Sequence, residues 1–232
     1  MVSHRLFCRA ASPETLADLS SFPGLSLRLA SNLTPNVSGA ILAGGEARRM
    51  NGADKPSLRI GQRQILDWQL DALHTAGIDE VFVIGSKPRL LPAGARAIAD
   101  AVSAGPLGGI YSALLAATRP IVVVLAGDMP FVSPRLVACL TELGHSEASV
   151  PRINGRWHPL CAAYRRGVAQ RIKGRIDRGA WRVTEALSDL DVREVTEADL
   201  AACDATPMEF INVNTPEDFR EAEHLASTRQ PD

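Results

Sequence analysis

The chain has 232 residues, 46% of them hydrophobic, with 25 Lys plus Arg against 26 Asp plus Glu and a formal net charge of -1. That length fits one α/β domain with a sizeable core. The balanced charge argues against a nucleic-acid partner, so any anionic ligand must be met by local positive charge. Four cysteines (Cys8, Cys139, Cys161 and Cys203) stand far apart without a CxxC pair, which argues against a zinc or disulfide framework and reads as reduced thiols in a cytoplasmic protein. No apolar run approaches the roughly 18 residues of a membrane span, so no membrane partner is expected.

Residues 1–36 contain Arg5, Arg9 and Arg28 but also Glu14 and Asp18, and hold no continuous apolar stretch. They read as an N-terminal extension rather than a targeting peptide. From Val37 onward short apolar runs alternate with helix-like stretches. Ser38–Leu42 predicts a first buried strand. Gln62–Ala76 carries Leu66, Leu70 and Leu73 at helical spacing, and Gly77 stops it. Val81–Ile84 is continuous and apolar, as in a strand covered on both faces. Arg96–Ala99 predicts a third strand. After Gly105-Pro106, the residues Leu107, Ile110, Tyr111, Leu114 and Leu115 trace one helical face. Ile121–Leu125 predicts the central strand, and Ser133-Pro134 opens a helix as N-cap and first-turn proline, burying Leu136, Leu140 and Leu143. Strands are expected within 148–165 and one or two helices within 166–188. Phe210–Asn214 predicts a short late strand running into a helix that starts at Thr215-Pro216. The alternation implies an α/β fold with a mostly parallel sheet and helices on both faces. Ligands of such sheets bind at the carboxyl ends of the strands, so the loops after Leu42, Ala99 and Ala126 should share a crevice.

The loop Leu42–Lys55 follows the first strand. Its paired Gly44 and Gly45 allow close backbone approach and offer N–H groups to phosphate oxygens. Arg48, Arg49 and Lys55 add positive charge within eleven positions of that turn. The pattern is neither GxxxxGK[ST] nor GxGxxG, which removes the main support for kinase-like and dinucleotide-binding readings. Asp128 follows the most apolar strand, where Mg²⁺ would find a carboxylate beside phosphate oxygens and water. Read from the residues alone, Asp100 is a helix N-cap or turn residue in preference to a ligand contact. Asn212 and Asn214 are as compatible with bonding loop backbone as with meeting a metal or an acceptor. Arg152, Arg156, His158 and Arg165 are candidates to surround a second anion.

The string LAGG-x3-R-M-x-G-x-D-K resembles the signature of nucleotidyltransferases related to molybdenum cofactor guanylyltransferase. Four segments follow in the family's order: Ala99-Asp100 with Gly105-Pro106-Leu107-Gly108-Gly109, then Ala126–Pro130, then His158-Pro159, then Phe210–Glu217. The resemblance runs from about Val37 to Leu225 and implies a three-layer Rossmann-like nucleotidyltransferase domain over 37–228. It implies that the backbone of Leu42, Ala43, Gly44 and Gly45 reads the nucleotide, with Asp100 beside it. By the same resemblance Lys55 contacts the phosphates, Arg49 stabilises departing pyrophosphate, and Asp128 ligates Mg²⁺. His158, Asn212 and Asn214 match the acceptor side, with His158 assigned to binding rather than proton transfer. One departure is Ile84, which stands where the family often has an asparagine; the missing contact is lost or supplied by Ser86. Asn51 replaces a common glycine.

The expected function is therefore transfer of GMP from GTP to molybdenum-molybdopterin, giving the guanine dinucleotide cofactor and pyrophosphate. The resemblance also suggests hand-over partners, a molybdenum-insertion protein upstream and molybdoenzyme chaperones downstream. Alternatives are a cytidylyltransferase using CTP, though such enzymes tend to carry LAAG, a sugar-1-phosphate nucleotidyltransferase, and a non-catalytic nucleotide-binding regulatory module. Gly45 leaves room for a purine and is the feature that favours guanine.

Overall fold

A computed structural model describes residues 36–44, 55–85, 91–92 and 94–228, with the side chains of Lys55 and Thr228 outside that description. The 1–36 extension, apart from Asn36, lies outside it too.

Strand β1 spans Val37–Leu42. A small hairpin follows, β2 at Arg59–Ile60 paired antiparallel with β3 at Arg63–Gln64. Its tight corner is made by Gly61 at φ +61, a left-handed conformation that a side chain would oppose. This hairpin consumes the start of the predicted Gln62 helix. Helix α1 begins only at Ile65 and runs to Thr75, with Asp67 Oδ2 accepting the Gln64 N–H at 3.1 Å. Then come β4 (Glu80–Ile84), β5 (Ala95–Ile98), α2 (Gly105–Ala116), β6 (Ile121–Ala126) and α3 (Pro134–Thr141). Ser133 caps α3 as its sequence predicts, the hydroxyl accepting the Leu136 N–H at 3.1 Å. Leu143 lies past the end of α3 yet remains buried.

The second half contains β7 (Ala148–Ile153), β8 (Arg156–Trp157), β9 (Cys161–Arg165), α4 (Ala169–Asp177), α5 (Val183–Ala186), β10 (Val192–Val195), α6 (Glu197–Ala202) and α7 (Pro216–Thr228). Neither β10 nor α6 is announced by the sequence. β10 reads VREV, polar at its centre, and owes its strand character to pairing parallel with β7. The late strand expected at Phe210–Asn214 does not form. Pro207–Phe210 is instead a single 3-10 turn whose entry is closed by Glu209 accepting the Thr206 N–H. Proline at the first position favours that turn, and the residues after it run without a ladder.

The main sheet has the order β10-β7-β9-β6-β1-β4-β5, with β8 appended to β7. Along that path β9 alone runs against the others, which follows from its antiparallel pairing on both sides. The expected mostly parallel mixed sheet is thus observed. Side chains of β6 alternate between two cores. Val123 and Leu125 pack with Leu66, Leu70 and Leu73 of α1 and Leu136 and Leu140 of α3. Val122 and Val124 pack with Ile110 and Leu114 of α2 and Ile172 of α4. A strand that is apolar on both faces has to be covered twice, and that requirement builds the three layers. A third, smaller cluster (Ile60, Ile65, Phe131, Val213 and Ala222) ties α7 to the hairpin side of the domain. No helix among the described residues is long and apolar enough to cross a membrane.

Candidate active site

The parallel register brings four carboxyl ends to one edge. Leu42 is level with Ile84 on one side and Ala126 on the other, and Ile84 is level with Ile98. Past Leu42 the backbone stays pinned: Ala43 N–H donates to the Ile84 carbonyl at 2.7 Å, and the Leu42 carbonyl accepts Gly127 N–H at 3.0 Å. These bonds demand close approach of bare backbone. A Cβ on Gly127 would lie 2.8 Å from the Leu42 oxygen and 2.8 Å from Pro56, so no other residue fits there without movement.

The loops after Leu42, Ile98 and Ala126 enclose a cleft of about 350 Å³, as the topology predicts. Leu42, Ala43, Gly44, Asp100 and Asp128 all line it. Asp128 is half-buried at the rim of the turn 126–129. Its Oδ1 accepts from Asn212 Nδ2 at 2.9 Å, and its main-chain carbonyl accepts Val213 N–H at 2.8 Å. Asp100 is a cleft residue and not the cap of α2, a position held by Ala104. Its Oδ2 lies 3.3 Å from the place a Gly44 Cβ would occupy, so a side chain at position 44 would press on this carboxyl. The next residue is fixed by Ser112, whose hydroxyl accepts Ala101 N–H at 2.8 Å.

Burial pushes the Asp100 carboxyl above its ordinary value of 3.8. A raised pKa means the folded state holds the proton more tightly than the unfolded chain does. The stability this group adds is complete below the unfolded pKa and lost as pH rises through the folded one. Asp100→Asn is therefore expected to melt above wild type near neutral pH, with the difference shrinking as the buffer approaches about pH 4. Thermal melts across that range check this, and a variant less stable at neutral pH would contradict it.

The remaining sequence candidates divide. Gly45, Arg49, Asn51 and Ser86 lie outside the described residues. Lys55 opens a 3-10 turn whose next residue, Pro56, lines the cleft. Ile84, the departure noted in the sequence, is buried and forms part of the cleft wall. Asn212 reaches the cleft through Asp128, whereas the main-chain N–H of Asn214 donates to Asp218 Oδ2 at 2.8 Å in the entry to α7. His158 is off the cleft lining, its ring tilted against Phe210 at 4.8 Å. Burial, and secondarily the Arg156 charge, lowers its pKa. The arginines considered for a second anion do not all share one place: Arg156 stays near His158, whereas Arg165 does not. Arg165 is level with Ile121, at the far end of β6, where it bonds the Ser146 carbonyl at 2.8 Å. Arg152 lies over Trp157 and pairs with Glu194 at 3.5 Å. Residues that sequence reasoning did not assign include Val102, Ser103, Ala104 and Leu160 in the cleft wall. The Gly105–Gly109 segment signalled the first three without giving them a role. Leu160 had no signal, since β9 reaches this edge only through its reversed direction.

The cleft thus offers open main chain, the N-terminal end of α2 and two carboxylates, a combination suited to a phosphorylated ligand carrying a cation. The description "MobA-like NTP transferase domain" matches residues 39–192. The chain belongs to the MobA-like NTP transferase family. A family relative from Cereibacter sphaeroides, named molybdenum cofactor guanylyltransferase, is 34% identical over 194 residues, covering 81% of this chain and 95% of its own. The solved structure of molybdopterin-guanine dinucleotide biosynthesis protein A from Archaeoglobus fulgidus matches with a TM-score of 0.69 at 26% identity, covering 83% of this chain and 100% of that one. Fold alone is shared with 2-C-methyl-D-erythritol 4-phosphate cytidylyltransferase from Thermus thermophilus, at a TM-score of 0.64 and 23% identity over 83% of this chain and 100% of that one. The MobA-like domain therefore has the Rossmann-like nucleotidyltransferase architecture expected from its sequence. Its cleft lies where the topology of that architecture puts a ligand.

Proposed function

We propose that this MobA-like NTP transferase moves GMP from GTP to molybdenum-molybdopterin, releasing pyrophosphate. The observation that carries the reading is Asp128 facing the same cleft as the Leu42–Gly44 backbone, in a chain 34% identical to a relative named for that activity. An oxygen of the acceptor's terminal phosphate forms a bond to the α-phosphorus of GTP. The bond from that phosphorus to the bridging oxygen breaks, and its electron pair leaves with pyrophosphate. The acceptor oxygen is already ionised at neutral pH, so no general base is required, and catalysis rests on positioning and charge neutralisation.

Among the described residues no group of three His, Cys, Asp or Glu side chains is placed to cage a metal. The donor set that does line the cleft, Asp128 with Asp100, suits Mg²⁺, which takes one or two carboxylates and completes its shell with phosphate oxygens and water. Asp128 would hold it, and the ion when bound supplies positive charge to the triphosphate. The Asn212 bond to Oδ1 orients that carboxylate, and the Leu42–Gly44 main chain with Asp100 positions the nucleotide. Lys55 and Arg49 are assigned to the phosphates, and His158 and Asn214 to the acceptor side, on the resemblance of their segments. We place the reaction in the cytoplasm, consistent with Cys139, Cys161 and Cys203 being free thiols. Transient partners for delivering and removing the cofactor rest on the resemblance as well.

The test is to incubate the protein with Mg²⁺, molybdate-loaded molybdopterin and each of the four nucleoside triphosphates, following pyrophosphate and dinucleotide. GTP is expected to be preferred. Higher turnover with CTP would replace the guanylyl reading by the cytidylyl one, and GTP binding without any turnover would favour a regulatory module.

A further inference from the structure

We infer that Gln69 is a positioning residue for the reaction, holding the turn that presents Asp128 to the cleft. Gln69 lies on the sheet-facing side of α1 among Leu66, Leu70 and Leu73, and is completely buried. Glutamine is seldom found in such a place. Its Nε2 donates to the Ala126 carbonyl at 2.6 Å, across 57 positions of chain. The amide orientation is dictated by that contact, because the flipped form would set oxygen against oxygen. Its other end gains nothing: Oε1 is buried, with no hydrogen-bond partner among the described residues.

The Ala126 carbonyl also accepts Met129 N–H at 3.3 Å, which makes 126–129 a tight turn with Asp128 as its third residue. Three main-chain bonds hold the same turn, from Ala126 N–H to Leu160, from Gly127 N–H to Leu42 and from Val213 N–H to Asp128. Gln69 adds a side-chain clamp at the turn's first residue, from a helix none of whose residues lines the cleft. Stability does not account for the choice. A half-satisfied buried amide is a net liability, and methionine, with similar length and no polar atom, would fill the space without one. What methionine lacks is the donor to Ala126. Loss of a contact made directly to a metal ligand reduces affinity or rate by about 10- to 100-fold, and Gln69, acting one bond further out through the Ala126 carbonyl, is expected at the lower end of that range.

The inference rests on the proposed role of Asp128 as metal ligand, and the experiment separates the two. Gln69→Met and Gln69→Glu are compared with wild type for kcat, KM for GTP, thermal midpoint and Mn²⁺ affinity at saturating GTP, read from the resonance of free Mn²⁺. Gln69→Met is expected to melt no lower than wild type, to bind Mn²⁺ about tenfold more weakly and to lose about tenfold in kcat, with KM changed by no more than about twofold. Gln69→Glu keeps the shape and can donate to the carbonyl only in its protonated form, so the same functional losses are expected to deepen as the pH rises. Unchanged kcat and Mn²⁺ affinity in Gln69→Met would overturn the inference. So would losses that follow a lowered melting point, since they would assign Gln69 to folding. Mn²⁺ binding needs no turnover, so an inactive wild type that binds Mn²⁺ and GTP would sink the proposed function and leave the Gln69 comparison readable. A wild type that binds no Mn²⁺ would overturn both.

Discussion

Asp128→Asn is expected to lower kcat roughly a thousandfold, the scale of the several kcal/mol that a metal clamp supplies to a charged transition state. GTP affinity should change much less, because the main chain of Leu42–Gly44 and the Asp100 side of the cleft are untouched. The fold should survive. Asparagine keeps an Oδ1 for the Asn212 Nδ2 that now donates at 2.9 Å, and the main-chain carbonyl still receives Val213 N–H. The comparison therefore isolates the negative charge. Steady-state rates, GTP titration calorimetry and a melting curve on one preparation measure all three quantities. A variant retaining more than about a tenth of wild-type kcat would remove Asp128 from the metal. A variant that loses GTP binding to the same extent as kcat would make its role one of nucleotide binding.

The largest effect on stability is expected at Glu209, a position with no part in the chemistry. Its side chain is 2% exposed and spans two loops: Oε2 accepts Ser133 N–H at 2.9 Å, just before α3, and Oε1 accepts Thr206 N–H at 3.1 Å, at the mouth of the 3-10 turn. Glu209→Ala leaves both donors without their partner and opens a cavity, a loss of about 2 to 4 kcal/mol. Glu209→Gln keeps one acceptor and turns an N–H₂ toward the other donor, so it should fall between. Urea denaturation of the three proteins decides the matter, and a loss below about 1 kcal/mol for Glu209→Ala would show that water replaces the carboxylate freely. Because the turn leads directly to Asn212 and Val213, activity is expected to fall with Glu209→Ala even where the protein stays folded.

Much of this arrangement is legible in the residues, and the legible parts share a local cause. Ile121–Leu125 could only be a central strand, since five consecutive branched or aliphatic residues need cover on both faces. Ser133-Pro134 sets its own helix start through a hydroxyl and a fixed φ. Gly44 and Gly127 announce close backbone approach, and the structure shows what they approach. The misreadings share a cause too. Phe210–Asn214 has strand-like composition, but among the described residues no strand pairs with it, and Val213 instead gives its N–H to Asp128. Gln62 begins a helical period in sequence yet sits in a hairpin corner, because Gly61 can adopt a positive φ and Ile60 is drawn into the cluster around Phe131. Arg165 looked like a ligand for an anion near His158, and the reversed run of β9 carries it to the opposite edge of the sheet.

By itself the sequence determined the layered α/β architecture, the sheet edge at which the cleft opens, and Asp128 as an acid of that edge. Those features depend on periodicity, capping and strand polarity, all of which act within a few residues or follow from the order of elements. Only the tertiary structure decided how Asp128 is held. Asn212 lies 84 positions from it, and Gln69 lies 57 positions from the carbonyl of Ala126. A hydrogen bond between groups so far apart along the chain has no local pattern. In the sequence Gln69 is a polar residue between helical leucines; in the fold its nitrogen meets the turn that carries Asp128.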